Sequence, residues 1–500
     1  YLGSIYTNPS TKTYYRDDKF VSDYYEEHDI KLSGFMRTQT NHASTLDDFC
    51  KYSRFIADDF YTSSAWEKSY DFLLKEFGPH MCDSTVVSMD EAITFMKASS
   101  TTGFPWNMQF STKAEAVVDS DTYSYIHNFI FESGHIYRPF IFQVLAKEEI
   151  LPSEKVQNNY HRSILGGPLE LTWALSMICW DQNEKFYGST DLHASAVGSS
   201  EWHGGTDVHV HRIQSFHNDK GGILFDADQS LQDATTTVWC FEGLVRFRFG
   251  CLARKFRTKR NWNRLLHYYV GIVYSWAILP GGDVVMKLIG NASGQPNTIT
   301  DNTMNIYRLL SAAFISLAPV GFIPSHANFL IYVFMRLYGD NVNGVIASII
   351  SSWFNPDTIS VCLFKAGVVL KFHEHVSIHQ LDWLSSSFIF LDGHYLPLRN
   401  YQKALASLLH MQPTGQGILR TFERAIGLYY AYWVSTEFRN IMKPLLLRLA
   451  DVTADMDGSE RLRACVLNDE SLFDLYTVNK ISQSFPNFPL GEYVVQPHPS

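Results

Sequence analysis

Residues 329–348 read FLIYVFMRLYGDNVNGVIAS, and this stretch decides the fold. A run of β-branched and aromatic residues from Phe329 to Leu337 meets Gly339-Asp340-Asn341, then a second short β-prone run, which predicts a hairpin. Gly339 and Asn341 tolerate positive φ, and Asp340 can bond neighbouring amides, so a plain turn explains part of the pattern. A plain turn does not explain a carboxylate at the tip of so apolar a hairpin. A partner such as a metal ion would justify placing it there.

A second acidic group precedes it. In GGILFDADQSLQDATTT, residues 221–237, a short strand runs into a helix. Asp226 and Asp228 share one strand face, and Asp233 follows after the chain has turned. Taken singly, each of these acids is explained by capping or solvation. Paired with Asp340 from another hairpin, a strand-end carboxylate here is what a two-metal phosphoryl-transfer site needs, with ions roughly 3.5–4 Å apart.

Other segments carry polar chemistry outward from these acids. Residues 147–164, KEEILPSEKVQNNYHRSI, place Lys147, Lys155 and Arg162 along an apparently extended segment, where separated cations suit successive phosphates. Leu169–Phe186 reads as a helix and 195–205 as turn-rich. Residues 290–310 form a Ser-Gly loop leading into a helix on which Thr298, Asn302 and Asn305 share one face. Ser99 to Asn107, SSTTGFPWN, packs hydroxyls, Gly and Pro into one loop with donors for a phosphate backbone, or simply an ordinary turn. Residues 246–264 hold eight Lys or Arg and no acid in a chain of net charge −10. With Phe247, Phe249, Phe256 and Trp262 interleaved, that stretch suits a nucleic-acid surface or a solvated basic helix.

Composition sets the outer limits. Five hundred residues at 46% hydrophobic and 18% charged bury a large core. Seven scattered cysteines without a CxxC pair indicate neither zinc nor a disulfide framework, and fit a reducing compartment. The longest apolar region, about 309–323, is interrupted by Ser and Pro319 and falls short of the roughly 18 residues of a membrane span. Tyr1 in place of an initiator Met is expected of an expressed fragment or of a piece released from a longer precursor. Residues 1–98 are polar and Tyr-rich, with helical patches at 63–77 and 89–97 and no evident chemistry.

In order and spacing, residues 99–395 resemble the RNA-directed RNA polymerases of positive-strand RNA viruses, especially the picornavirus-like and astrovirus-like supergroup. The family's motif A resembles Asp228 and Asp233, its metal-binding and ribose-sensing acids. Motif B is similar to Ser293, Gly294, Thr298 and Asn302, and motif C to Tyr338-Gly339-Asp340-Asn341. Motif F is similar to Lys147, Glu149, Lys155 and Arg162, and motif G to Ser100-Thr101-Thr102-Gly103-Phe104-Pro105. Residues 384–398 resemble the primer-supporting motif E hairpin. Two departures stand out. Asn341 replaces the family's second motif C acid, and the motif D general acid falls on either Lys371 or His375.

The resemblance implies an α+β closed right hand. Fingers take 1–220, including an N-terminal extension, and 243–280; an antiparallel-sheet palm takes 221–242 and 281–398; a helical thumb takes 399–500. It implies RNA-templated RNA synthesis from rNTPs with two Mg²⁺ or Mn²⁺ ions at Asp228, Asp340 and Asn341. Lys147, Lys155 and Arg162 would clamp the triphosphate, and Asp233 with Asn302 would read the 2′-hydroxyl. Template and nascent RNA would run past Ser100, Thr101, Thr102 and Gly103, and against Arg254, Lys255, Arg257, Lys259 and Arg260. Other viral replication proteins are expected partners, at membrane-associated complexes in host cytoplasm, with no transmembrane segment in this chain. A reverse transcriptase shares the palm acids but has no reason to keep Asp233 and Asn302 where a ribose hydroxyl sits. A non-catalytic RNA-binding descendant finds support in Asn341 alone.

Overall fold

The structure is a computed structural model and describes residues 1–4, 15–38, 42–53, 59–132, 139–158, 160, 162–410, 412–413, 417–453 and 456–478. The last part of the expected thumb, 479–500, lies outside the described residues. It is a mixed helix and sheet structure whose organising element is a four-stranded antiparallel sheet. Its strands lie in the order Val333–Tyr338, Asn341–Ile346, Ile223–Gln229, Leu370–His375.

The hairpin expected at 329–348 is present but shorter at its start. Ser325 accepts from the Asn328 amide and caps a helix over His326–Tyr332, so Phe329–Tyr332 are helical and the strand begins at Val333. Tyr338 pairs with Asn341, which leaves Gly339-Asp340 as a two-residue turn. Among these residues only Gly339 has positive φ, at 63°, the pattern of a type II′ hairpin turn. Asn341 is the first residue of the returning strand, not part of the turn.

The sheet is covered on both faces. One face presents Phe225, Ala227, Met335, Leu337 and Val342 to the main core, where the helices Ser64–Met81, Leu169–Gly188, Val238–Cys251 and Thr298–Leu317 meet. Gly344 lets the Phe225 ring approach this closely, since a Cβ there would stand 2.6 Å from the Phe334 carbonyl oxygen and 2.8 Å from the ring. The other face presents Leu224 and Val345 to a smaller cluster with Val210, Ile213, Phe388 and Tyr395. These come from the helix Gly205–Lys220 and the hairpin Ser386–Leu391/His394–Arg399. A third core gathers Val21, Tyr24 and Tyr25 of the helix Lys19–Glu27 with Leu405, Phe422, Leu445, Leu449 and Leu472. The N-terminal helix therefore packs with the C-terminal helices. A separate five-stranded sheet runs in the order Gly3–Ser4, Asp283–Met286, Trp276–Ile278, Ile141–Lys147, Arg162–Gly166.

Packing corrects one sequence expectation and decides another that the sequence leaves open. The segment 147–164 is not one extended element: strand Ile150–Pro152 is followed by a short helix, Ser153–Gln157, before the strand Arg162–Gly166. The helix Thr298–Leu317, whose shared polar face suits either solvent or an inward recognition role, is buried along nearly all of its first four turns, Asn302 and Asn305 included. Around Asp301 that burial is tolerable because the polar groups satisfy one another, whereas buried Asn305 Nδ2 and Arg308 Nη1 have no hydrogen-bond partner among the described residues. Fully buried Arg248 donates to Asp301 Oδ1 from Nε (3.0 Å) and from the guanidinium terminus (2.7 Å), and to the side-chain oxygens of Gln182 and Asn183 (3.2 Å each). Tyr269 and Gln295 donate to Asp301 Oδ2 at 2.9 and 3.2 Å. Among the described residues no helix is long and apolar enough to cross a membrane. All seven cysteines are free.

Arg248→Met should destabilise the fold by roughly 3–5 kcal/mol, because it strands the Asp301 carboxylate in the core. Urea unfolding followed by tryptophan fluorescence checks this, and a loss below about 1 kcal/mol would show that the pair does not support the core.

Candidate active site

The antiparallel register builds the site. Asp228 stands near the end of its strand directly opposite Asn341, and the Gln229 amide donates to the Asp340 carbonyl at 3.1 Å, so the turn carrying Asp340 sits against the end of the Asp228 strand. The turn is held from behind. Thr303 Oγ1 accepts from the Gly339 amide at 2.9 Å, and Gln232 Nε2 donates to the Gly339 carbonyl at 3.2 Å. Asp228 is exposed and Asp340 partly buried.

Charge accumulates there. Burial, then the neighbouring Asp228 carboxylate, pushes the Asp340 pKa up, and Arg162 opposes the rise. Asp228 is also raised, by partial desolvation at the rim of the site, against the pull of Lys371, His373, Arg162 and Lys155 in that order. A strand carboxylate and a turn carboxylate thus share one electrostatic neighbourhood with Arg162, while Lys371, His373 and Lys155 act on Asp228.

Lys147 and Arg162 are cross-strand partners. Both are drawn to Glu149: Arg162 Nε donates at 2.7 Å and Lys147 Nζ lies at 3.4 Å. Lys155, on its own short helix, lies 5.6 Å above the Tyr160 ring centroid. The Ser-Gly loop is stitched to the same strand: the Leu165 amide donates to Ser293 Oγ at 3.2 Å, and Gly294 bridges Gly166. A Cβ on Gly294 would stand 2.1 Å from the Leu165 carbonyl oxygen, so only glycine fits. Thr298 Oγ1 faces the carbonyls of Gln295 (2.8 Å), Ala292 (3.1 Å) and Ser293 (3.2 Å), and so braces the loop. Asn302 Oδ1 accepts from Asn291 Nδ2 at 2.9 Å.

Asp233 has partners that sequence reasoning missed. Lys51 Nζ lies 2.7 Å from its Oδ2, and the Tyr52 hydroxyl donates to the same oxygen at 2.9 Å. Nothing in residues 42–53 signals chemistry, because the contact joins positions 182 apart in sequence.

The structure separates the two candidates for the general acid. Lys371 is the cross-strand partner of Asp228. His375 pairs with Leu224, four residues and roughly 13 Å farther along the strand. Its Nε2 is hydrogen-bonded to Asp226 Oδ1, while His373 Nδ1 lies 2.9 Å from Asp226 Oδ2. The Asp382 amide also donates to Asp226 Oδ1, at 3.0 Å. His375 therefore stands away from Asp228 and Asp340, and both carboxylate oxygens of Asp226 are engaged by histidines.

The loop at 100–105 abuts the Ser-Gly loop's neighbours. Gly103, at φ 69°, would bring a Cβ within 2.2 Å of the Gly167 carbonyl oxygen. Ser100 Oγ donates to the Lys97 carbonyl at 2.7 Å, and Thr101 Oγ1 accepts from the Gly103 amide at 3.3 Å. Thr102 is buried with its hydroxyl on the Phe110 carbonyl at 3.3 Å, so it braces the loop and does not face RNA. In the basic stretch, Arg254, Lys255, Arg257, Lys259 and Arg260 are exposed, whereas Arg248 and Arg264 are buried. The expectation of interleaved aromatics on its surface is corrected for Phe247, which is fully buried, while Phe249, Phe256 and Trp262 are partly buried against the main core, Phe249 and Trp262 edge to face at 5.2 Å.

The residues also fit a divalent metal in their donor chemistry. Asp228 and Asp340 supply hard carboxylate oxygens side by side. Asn341 Nδ2 donates to Asp340 Oδ1 at 3.1 Å, and its own Oδ1 accepts no hydrogen bond among the described residues. Among those residues no group of three or more His, Cys, Asp or Glu is arranged to hold a metal.

The family described as Viral RNA-dependent RNA polymerase matches residues 17–438. The chain is 22% identical over 479 residues to the genome polyprotein of Plum pox potyvirus (strain Rankovic), which takes in 92% of this chain and 14% of that polyprotein. It is 28% identical over 364 residues to the non-structural polyprotein 1AB of Ovine astrovirus 1, with 69% and 25% covered. Against the genome polyprotein of Bean yellow mosaic virus it is 25% identical over 341 residues, with 67% and 10% covered. The chain spans a quarter or less of the length of these relatives. The family match takes in both acid-bearing strands, the Gly339-Asp340 turn and the cationic strands facing them, and the chain belongs to the viral RNA-dependent RNA polymerases, which make RNA on an RNA template.

Proposed function

We propose that this chain extends RNA at Asp228 and Asp340, adding rNTPs to a 3′-hydroxyl as a template directs. The observation that supports this reading is the convergence of Lys371, Arg162 and Lys155 on the Asp228 carboxylate, with Arg162 also acting on neighbouring Asp340. An anionic triphosphate meets its cations there, at the edge of a metal-suited acid pair. Mg²⁺ or Mn²⁺ held by Asp228, Asp340 and Asn341 would lower the pKa of the 3′-hydroxyl and neutralise charge on the leaving pyrophosphate.

The protein's own groups do the rest. Lys147, Lys155 and Arg162 hold the triphosphate, with Arg162 exchanging part of its contact with Glu149 for phosphate oxygens. Lys371 Nζ, beside Asp228, gives its proton to the departing pyrophosphate. Asp233 accepts the hydrogen of the ribose 2′-hydroxyl. Asn302, its Oδ1 already occupied by Asn291, offers its N–H group to the same hydroxyl oxygen. The loop of Ser100, Thr101 and Gly103 guides the template backbone, and Arg254, Lys255, Arg257, Lys259 and Arg260 add sequence-independent attraction for RNA.

In this reading the central sheet is the palm (221–242 and 281–398), fingers take 1–220 and 243–280, and 399–500 form the thumb. The helix Lys19–Glu27, packed among the thumb helices, ties the N-terminal extension across to close the hand. The protein works in the host cytoplasm at membrane-associated complexes with other viral replication proteins. It is one part of a polyprotein, as the matched segments of its relatives are.

Asp228→Ala and Asp340→Ala should each abolish primer extension on a homopolymer template while leaving the melting transition near that of the parent. Extension within about tenfold of the parent, only ~1.4 kcal/mol in barrier, would contradict the assignment.

Asn341→Asp exchanges a hydrogen-bond donor to Asp340 for a like charge. Without divalent ions the variant should melt below the parent, by roughly 1–3 kcal/mol of stability. With Mg²⁺ it should reach half-maximal rate at a lower concentration, and the parent should prefer Mn²⁺. Identical Mg²⁺ titrations of the two proteins, with no Mn²⁺ preference, would mean that position 341 does not touch the metals.

A further inference from the structure

The Asp233 carboxylate is held asymmetrically. Lys51 Nζ and the Tyr52 hydroxyl both converge on Oδ2, at 2.7 and 2.9 Å. Among the described residues, Oδ1 receives no hydrogen bond. Two donors on one oxygen fix the plane of the carboxylate and leave the other oxygen as a directed acceptor.

The holder is itself anchored. Lys51 and Asp48 are nearly buried and lie 3.3 Å apart. Asp48 Oδ2 accepts from the Ser163 amide at 2.8 Å, and Ser163 follows Arg162 on its strand. A continuous path therefore runs from the strand carrying the phosphate-facing Arg162, through Asp48 and Lys51, to Asp233. The far side is equally close. The Asn291 amide donates to the Asp233 carbonyl at 2.7 Å, and a Cβ at Gly290 (φ 94°) would stand 2.3 Å from that carbonyl oxygen and 2.9 Å from the Tyr52 ring. Lys287 closes the pocket behind Tyr52. Its ammonium lies 5.5 Å from the ring centroid and donates to the carbonyls of Val273 and Ile289 (3.0 Å each) and Gly290 (2.8 Å).

We propose that Lys51 and Tyr52 are positioning residues for sugar selection: by pinning Oδ2 of Asp233 they aim Oδ1 at the 2′-hydroxyl of the incoming nucleotide, and through Asp48 they tie that aim to the strand carrying Arg162. The inference rests on the reading of Asp233 as the ribose-sensing acid. A carboxylate free to rotate would spread its acceptors over many directions, and the 2′-hydroxyl would gain less from it than from one oxygen held in place. A deoxyribonucleotide has no such hydroxyl, so it loses nothing when the aim is lost.

The test is single-nucleotide primer extension with rNTP and with dNTP, read as kcat/KM for each. The proteins are the parent, Lys51→Met, Lys51→Arg, Tyr52→Phe, Asp233→Ala and the Lys51→Met/Asp233→Ala double variant. Lys51→Met should lower rNTP use roughly tenfold and dNTP use less than about twofold, as expected for losing a charge-assisted hydrogen bond made only to the ribose-reading group. Lys51→Arg should recover most of the discrimination. Tyr52→Phe, which removes one hydroxyl, should lower it by about threefold, and decides the matter should Lys51→Met fail to fold. In the double variant discrimination should equal that of Asp233→Ala alone, because Lys51 acts through Asp233. Equal losses for both sugars in Lys51→Met and Tyr52→Phe, or unchanged discrimination while Asp233→Ala loses it, would overturn the inference and leave Asp233 as the ribose sensor. Unchanged discrimination in Asp233→Ala would overturn both.

Discussion

The structure depends on one register. Asn341 lies opposite Asp228, and the Gln229 amide bonds the Asp340 carbonyl, so the turn of one hairpin is clamped to the end of the neighbouring strand. Side chains alternate along a strand, so a slip of one residue would send Asp228 into the core and bring Ala227 to the site. The two faces of the sheet forbid such a slip. Phe225 and Ala227 belong to the main core and Leu224 to the smaller one, and neither set can exchange places with the acids. The position of the carboxylates is thus a consequence of apolar packing, and their mutual repulsion is carried by that packing.

The same arithmetic explains what the sequence disclosed. Asp228 and Asp340 were legible because each depends on local rules: alternation along a strand, and turn chemistry at Gly339-Asp340. The helix Leu169–Gly188 followed from periodicity for the same reason, whereas the hairpin at 386–399 was expected only through the resemblance of residues 384–398 to the family's motif E. Lys51 and Tyr52 were not legible. Their role exists only through a contact with Asp233 that no local pattern encodes. The helix at Ser153–Gln157 was missed in a segment whose β-prone flanks dominate its reading.

Polar residues misled where burial was not visible. Arg248 sits in a run of cations that looks like a nucleic-acid surface, yet its partner is Asp301 at the heart of the protein. Phe247 of the same run is buried and Phe249, Phe256 and Trp262 pack partly against the main core, while Lys255 lies over the Phe256 ring and Arg260 over that of Phe131. The network around Asp301 reaches the site: Gln295 bonds both Asp301 and Asn291, and Asn291 holds Asn302. A buried ion pair in this protein is therefore linked through Gln295 and Asn291 to the side chain of Asn302, the position proposed to read the ribose. Asp226 and His375 show the converse. They stand on the acid-bearing face, but they satisfy each other and are withdrawn from Asp228.

The central claim is that Asp228 and Asp340 jointly hold the ions of nucleotidyl transfer. Crystals of the protein with template–primer RNA, a non-hydrolysable rNTP and Mn²⁺ test it most directly, through anomalous scattering at the manganese edge. The account predicts two peaks, both within coordination distance of Asp228 or Asp340, with at least one bridging them. Peaks absent from these carboxylates, or found instead at Asp226 and its two histidines, would contradict it.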